Sequence, residues 1–293
     1  MITAEQRIIR GTGVGGSESA ALLGIDPYRN NVDVWLSKLY PENRAGTDSE
    51  PAYWGNVLED IVAREWSKRS GREVRRNNQT LRHPMLPTML AHIDRKVVGL
   101  DEGLECKTLN AFSGSQLTEP LDHHWVQCQH YLEVMDYERW HIAYLVGGQR
   151  FVSFEIERDR AFGSALIQTI VEFWGYVVRN EQPPFSHDTG NAKSINETLK
   201  RLYPGTNGET VDLSDLSAWH EVRMDAKRMI KKLEDTVDCA TNIILDRMQE
   251  SAIGELPDGS RYVRKRITRK GYTVEDSEYL DFRHLPPKRT SKA

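Results

Sequence analysis

The sequence predicts an α+β protein in which a central mixed β-sheet is flanked by helices. The first observation is the order of segments, because helical patterns, two pairs of short strands and further helical patterns alternate along residues 1–187. The second is a polar stretch at 186–210, after which residues 213–248 are almost wholly helical in pattern. We therefore predict a core domain at 1–187 and a C-terminal extension at 188–293, carrying a helical arm and a small β-hairpin.

Composition and charge describe an ordinary soluble globular protein. The chain has 293 residues, 39% of them hydrophobic and 28% charged, and its net charge is −4. The global charge gives no support to nucleic-acid binding, although it leaves room for a local basic channel. The three cysteines form no disulfide framework and no Cys-x-x-Cys metal spacing. With no secretion signal and no apolar run of membrane length, we expect a cytoplasmic protein with no membrane partner.

A glycine-rich turn lies near the N-terminus and precedes the first helix. It runs from Arg10 to Ser17, and Ser17 is the predicted N-cap of a helix at 18–23. Free amides at a helix start, a serine hydroxyl and an arginine suit a phosphate. The alternative is an ordinary capped helix. No Gly-Lys-Ser/Thr follows the glycines, so the turn is not a P-loop.

The strongest helical pattern covers residues 53–70. Glu59 lies on the flank of its apolar face, where a lone carboxylate would be costly to bury. Either it pairs with Arg64 or Lys68, or it holds a metal. The predicted apolar face comprises Trp54, Val57, Leu58, Ile61, Val62 and Trp66.

The most informative stretch is a predicted β-hairpin at 90–108. Asp94 is placed on its first strand, and Glu105 and Lys107 on its second. Because side chains alternate along a strand, Glu105 and Lys107 share one face while Cys106 points to the other. Carboxylates on neighbouring strands beside an ammonium suit Mg²⁺ and an attacking water. The alternative is a solvated charged face.

The remaining core elements are a helix at 122–134, two strands at 140–146 and 151–156, and a helix at 159–179. On the first of these helices Gln127 and Tyr131 share a face. The histidines on and beside it lack metal-ligand spacing, so we expect core or rim positions for His123, His124 and His130.

Two further features of the sequence, a group of arginines and an apolar helix seam, each allow two interpretations. Arginines ahead of the hairpin form either a solvated edge or a phosphate-tracking rim; they are Arg72, Arg75, Arg76 and Arg82. The helix at 213–248 carries a coiled-coil-like seam of Ile230, Leu233, Val237, Ala240 and Ile244. That seam either packs on the core or forms an oligomer contact.

A small hairpin with strands near 260–267 and 270–275 is predicted to follow. It is strongly basic, with two tyrosines interleaved, and either grips a nucleic-acid backbone or is a solvated ribbon. Its charged and aromatic residues are Arg261, Tyr262, Arg264, Lys265, Arg266, Arg269, Lys270 and Tyr272.

Several of these pieces occur in a specific order. They are Arg10 with Ser17-Glu18, Pro27-Tyr28, Glu59, Asp94, Glu105-Cys106-Lys107, and Gln127 to Tyr131. In this ordered set the chain resembles the YqaJ-type phage recombination nucleases, relatives of lambda exonuclease in the PD-(D/E)xK superfamily. The resemblance covers residues 5–185 and implies a restriction-endonuclease-like fold. One departure is His92-Ile93 where the family has a proline before the aspartate.

The resemblance also implies roles for individual residues. Asp94, Glu105 and the Cys106 carbonyl would hold Mg²⁺, for which Mn²⁺ can substitute, and Lys107 would position the water. Glu59 would serve a second metal or the water. Gln127 would orient the lysine or water, and Arg10 and Ser17 would receive a phosphate. Further DNA contacts are expected at Arg75, Arg76, Tyr131, Arg264 and Arg266.

The implied activity is a metal-dependent 5′–3′ exonuclease that digests linear double-stranded DNA in recombination by single-strand annealing. Its alternatives are an endonuclease on the same fold and a catalytically silent DNA-binding scaffold. The same resemblance implies a single-strand annealing partner, a ring-shaped homo-oligomer, and a phage or prophage origin in a bacterial host.

Overall fold

The computed structural model describes residues 8–40, 49–112, 114, 116–187 and 190–268. It divides into two compact units, one up to Tyr203 and one from Pro204. The helices are α1 Gly16–Leu22, α2 Asn31–Leu39, α3 Glu50–Ser70, α4 Asp122–Met135, α5 Arg160–Arg179, α6 Ala192–Leu202 and α7 Ser217–Met248. The strands are β1 Val14–Gly15, β2 Val74–Arg76, β3 Leu81–Arg82, β4 Met89–Ala91, β5 Arg95–Val97, β6 Glu102–Leu109, β7 Arg139–Val146, β8 Arg150–Glu157, β9 Ile253–Glu255 and β10 Arg261–Val263.

A mixed five-stranded sheet organises the first unit, with strand order β2-β5-β6-β7-β8. β6 and β7 run parallel, whereas the other neighbours are antiparallel. A smaller three-stranded sheet has the order β1-β4-β3. The predicted α+β class, with a mixed sheet flanked by helices, is confirmed.

The central sheet is buried on both faces. On one face Leu104 and Ala143 pack against Val62, Ala63 and Trp66 of α3. On the other face the main core contains the buried side chains of Trp140, Ile142, Tyr144, Leu132, Leu166 and Ile170. Burial on both faces explains why β7 reads as a nearly continuous apolar run rather than an alternating one.

The apolar face predicted for α3 is only half buried. Val62 and Trp66 lie in the core, but Trp54, Val57 and Ile61 are 48%, 44% and 46% exposed. The helix begins after Ser49, whose hydroxyl accepts the Ala52 amide at 3.4 Å, three residues ahead of the predicted start. The amphipathic pattern therefore located the helix correctly but overstated how much of it packs.

α6 lies beyond the predicted domain boundary at 187/188, yet it belongs to the first unit. The fully buried Asn30 amide donates to the hydroxyls of Ser194 and Thr198 at 2.8 and 2.9 Å. The Thr198 hydroxyl donates to Asp33 at 2.6 Å. Because these contacts are polar, the pattern of apolar residues in the sequence did not reveal them. The compact unit extends to Tyr203.

Among the described residues, α5 alone is long and apolar enough, by length and composition, to cross a membrane. Its Leu166, Ile170 and Phe173 are buried in the core of the first unit. The same test is passed by core helices of globular domains.

The second unit contains α7 and a short hairpin. β9 and β10 pair antiparallel, with Tyr262 opposite Gly254. The predicted hairpin paired 260–267 with 270–275, so the observed partner of its first strand lies earlier in the chain. The predicted strand at 270–275, including Lys270 and Tyr272, lies outside the described residues, as does Arg269.

Candidate active site

The candidate catalytic residues come from one loop and two neighbouring elements. β5 and β6 form the predicted antiparallel hairpin, with Arg95 opposite Leu104. Asp94 was expected on the first strand, but it lies in the bend between β4 and β5. Glu105 and Lys107 lie in the middle of β6, and Gln127 projects from α4. The structure thus brings these four residues together.

Asp94, which is half-buried, and Glu105, which is buried, form a carboxylate pair. The Cys106 amide donates to Asp94 Oδ2 at 2.8 Å, which fixes the carboxylate against β6. Burial, then the carboxylates of Glu105 and Glu59, raise the pKa of Asp94 well above its usual value. Glu105 is 3% exposed, and its Oε2 atom has no hydrogen-bond partner among the described residues. A buried unsatisfied carboxylate oxygen is costly, so this atom is a natural ligand for a cation.

Lys107 lies beside the carboxylate pair and is more exposed than Glu105. Its Nζ lies 2.6 Å from Glu105 Oε1. Burial alone would lower the pKa of Lys107, but the carboxylates of Glu105 and Asp94 offset this and raise it. The amine therefore remains an ammonium at neutral pH, which allows it to donate hydrogen bonds but not to act as a general base.

Gln127 links the carboxylate pair to α4. Its Nε2 donates to Glu105 Oε1 at 2.6 Å and to the Tyr131 hydroxyl at 2.7 Å. The Tyr131 hydroxyl in turn donates to the His92 carbonyl at 3.0 Å. Tyr131 is 3% exposed, and its hydroxyl is held between Gln127 and the His92 carbonyl. Its contact with DNA stays a prediction.

Glu59 occupies the edge of this cluster. Its Oε1 accepts from Arg95 at 2.5 Å and from Arg76 at 3.1 Å. These are not the helix partners considered from the sequence, Arg64 and Lys68. Among the described residues, no group of three or more acidic, histidine or cysteine side chains is arranged to hold a metal. Glu59, which the resemblance assigns to a second metal or to the water, is thus held by two arginines and joins no such group in the described part of the chain.

The donor set nevertheless fits a hard divalent cation at the two-carboxylate pair. Asp94 and Glu105 supply oxygen atoms, and one of those atoms is buried without a partner. Mg²⁺ needs only one or two protein carboxylates, because water and substrate phosphate complete its shell. Cys106 is the residue between Glu105 and Lys107, and its side chain packs toward α3 on the opposite face of the sheet.

A small cavity of about 40 Å³ lies at the start of α1. Arg10, Ser17, Glu18, His92 and Tyr131 line it together with Gly15, Gly16 and Leu90. Ser17 is exposed and lies inside α1, so the prediction that it caps the helix is wrong. The cap is Gly15, whose amide donates to Glu18 Oε2 at 2.9 Å.

Glu18 and Lys38 are residues of this cavity region whose roles the sequence reasoning missed. Lys38 is 1% exposed at its side chain, and its Nζ donates to Glu18 at 2.6 Å and to the Arg10 carbonyl at 2.8 Å. Although burial raises it, the cations Lys38 and Arg29 lower the pKa of Glu18 to about 2. The Gly15-to-Glu18 spacing is a capping-box signal that points to the glutamate, whereas nothing local singles out Lys38.

The other predicted DNA contacts are arginines on β2 and in the second unit. Arg75 is exposed on β2, and Arg76 is occupied by Glu59 and Asp60. Arg264 and Arg266 are exposed in the second unit. Of the histidines, His130 is confirmed as a core residue, since its ring contacts Ser19 and the Leu90 carbonyl at 2.7 and 2.8 Å.

Comparison with known proteins gives concordant matches. The YqaJ-like viral recombinase domain family matches residues 7–138. The uncharacterized protein YqaJ of Bacillus subtilis strain 168 is 35% identical over 258 residues, which is 85% of this chain and 79% of that protein.

Solved structures support the fold. An alkaline exonuclease from Laribacter hongkongensis superposes with a TM-score of 0.52 at 14% identity, over 69% of this chain and 100% of that chain. The same exonuclease in complex with dAMP gives a TM-score of 0.52 at 18% identity, over 68% and 97% of the two chains.

Proposed function

Because the chain belongs to the YqaJ-like viral recombinase domain family, we propose that it is a metal-dependent deoxyribonuclease, a 5′–3′ exonuclease on linear double-stranded DNA. The observation that carries the proposal is the carboxylate pair of the half-buried Asp94 and the buried Glu105, with the Lys107 ammonium beside it. The shared fold with an alkaline exonuclease, crystallised with a nucleoside monophosphate, supports the same class of reaction.

The pair would hold Mg²⁺, for which Mn²⁺ can substitute, through Asp94, Glu105 and the Cys106 carbonyl. When bound, the ion neutralises charge on the phosphoryl oxygens and lowers the pKa of water. Without it, the burial that raises the pKa of Asp94 favours the protonated acid. Glu59, at the edge of the site, is proposed to serve a second metal or the attacking water.

The protein groups around the pair have distinct tasks. Lys107 stays charged, so it would orient the attacking water and stabilise negative charge that develops during phosphodiester cleavage. Gln127 holds the Glu105 carboxylate in place from α4. Arg10 and Ser17, which line the cavity at the start of α1, would bind a terminal phosphate.

Contacts beyond the site follow the same proposal. The exposed Arg75, with Arg264 and Arg266 of the second unit, would bind the DNA backbone. The enzyme would work in a bacterial cytoplasm, in recombination by single-strand annealing, together with an annealing protein.

The test uses the full chain and end-labelled linear duplexes that carry or lack a 5′ phosphate. We expect release of mononucleotides from the 5′ end in Mg²⁺ or Mn²⁺, faster with the phosphate, and no release in chelator. Robust cleavage in chelator would contradict the proposed metal site. Cleavage of a closed circular duplex at the same rate would identify an endonuclease instead.

A matched pair of variants assigns the activity to the site. Asp94→Asn should reduce the rate by at least about 100-fold, because metal-assisted stabilisation is worth several kcal/mol. Asp101→Asn, in the exposed turn of the same hairpin, should leave the rate unchanged. Equal activity of Asp94→Asn and the native chain would refute the assignment.

A further inference from the structure

α7 is a long helix whose apolar side chains are largely uncovered. It has 32 residues, all of them described, and Met248 is its buried residue. Large apolar side chains are more than half exposed along its length: Trp219, Val222, Met229, Ile230, Leu233, Val237 and Ile243. A contiguous apolar surface of this kind marks an interaction site.

The spacing of the apolar residues is that of a coiled coil. Small or apolar residues recur at alternating steps of four and three from Ala226 to Ile244, through Ile230, Leu233, Val237 and Ala240. One step of four and one of three together span seven residues, the heptad repeat that keeps a seam facing one partner helix. The positions that alternate with Ala226, Leu233 and Ala240 all hold β-branched residues.

The charge on α7 is divided between its two halves. Residues 221–232 carry five basic and two acidic side chains, whereas residues 234–246 carry four acidic side chains and no lysine or arginine. A parallel copy would place basic against basic and acidic against acidic. An antiparallel copy places each basic half against an acidic half.

We propose that α7 pairs antiparallel with α7 of a second copy of this chain, about a two-fold axis near residue 235. In this register Leu233 faces Val237 of the partner subunit, and Ile230 faces Ala240 of the partner subunit. Ala226 then faces Ile244 of the partner subunit. Two of these three pairs set a small side chain opposite a large one, which allows close interdigitation of the seam.

The β9–β10 hairpin of the second unit packs beside the acidic half of the α7 seam, and the two together form a groove. Tyr262 and Val263 of β10, with Val237, Ala240 and Ile244, line a groove of about 280 Å³. Ala240 is among its lining residues, and it is the residue against which the register places Ile230 of the partner subunit. The groove and the charge pattern therefore point to the same occupant.

The first experiment measures the mass of the full chain in solution by light scattering. We expect a dimer, reduced to half that mass by Leu233→Glu, a change at an exposed position that leaves the circular dichroism intact. Asn242→Glu, on the opposite side of the same helix, should remain a dimer. A native monomer, for instance with residues 269–293 covering the seam, would overturn the proposal. So would an oligomer whose mass Leu233→Glu does not change.

The second experiment tests the direction of pairing by oxidative crosslinking in a Cys239→Ser background. Ile230→Cys combined with Ala240→Cys should crosslink. Ile230→Cys alone should not, because the two copies of residue 230 would lie about 15 Å apart along the axis at 1.5 Å per residue. Crosslinking of the single variant would show a parallel pair and refute the register. Neither measurement depends on nuclease activity.

Discussion

Glu18→Gln should destabilise the first unit strongly at neutral pH although it keeps the size of the side chain. Glu18 and Lys38 are 3% and 1% exposed at their side chains and lie 2.6 Å apart. The pKa of Glu18 falls from 4.5 to about 2 on folding, which corresponds to about 3 kcal/mol of stability above pH 4.5. Glutamine forfeits this contribution and removes the Glu18 carboxylate from beside the buried Lys38 ammonium.

The dependence on pH has a definite sign. A carboxylate with a lowered pKa in the folded state stabilises the fold above its unfolded pKa, and this contribution is lost as pH falls through the folded value. The advantage of the native chain over Glu18→Gln should therefore shrink by about 2 kcal/mol between pH 7 and pH 3. It should vanish below pH 2.

Urea unfolding followed by tryptophan fluorescence measures this difference, because six of the seven tryptophans precede Tyr203. Glu65→Gln is the matched control, since Glu65 pairs with Arg69 at 2.6 Å on an exposed helix face and should matter little. Lys38→Met combined with Glu18→Gln should cost less than the sum of the single changes. A Glu18→Gln chain within about 1 kcal/mol of the native chain at pH 7 would refute the reasoning.

Three further outcomes follow from the packing. Gly16→Ala should cost about 1–3 kcal/mol in urea unfolding and slow DNA digestion, because its new Cβ would lie 2.5 Å from Tyr131 Cε1; unchanged values for both would contradict this contact. Gln127→Leu should lower kcat at least about tenfold with KM little changed, since it releases the Glu105 carboxylate; native kcat would remove Gln127 from the mechanism. A chain ending at residue 187 should unfold at lower urea than one ending at 203, because Asn30 loses Ser194 and Thr198; equal midpoints would separate α6 from the core.

The sequence predicted the parts of the site that depend on local periodicity. Alternation along β6 correctly placed Glu105 and Lys107 on one face and Cys106 on the other, since that follows from strand geometry alone. It could not anticipate that Arg95 engages Glu59, because this pair joins residues 36 apart along the chain. The role of Lys38 was missed for the same reason, because it depends on the burial of this lysine beside Glu18, which is distant along the chain.

The alignment of β6, the strand that carries Glu105 and Lys107, is also fixed by a residue of the neighbouring strand. Gly103 on β6 lies opposite Trp140 on β7, and a Cβ at Gly103 would come within 2.2 Å of the indole. If β6 shifted by one residue along β7, the side chain of Glu102 or Leu104 would have to occupy that space. The Glu105 carboxylate would then face away from α4. The Trp140 indole thus fixes the register of β6. Selection should therefore keep glycine at position 103 even in relatives that no longer have catalytic activity.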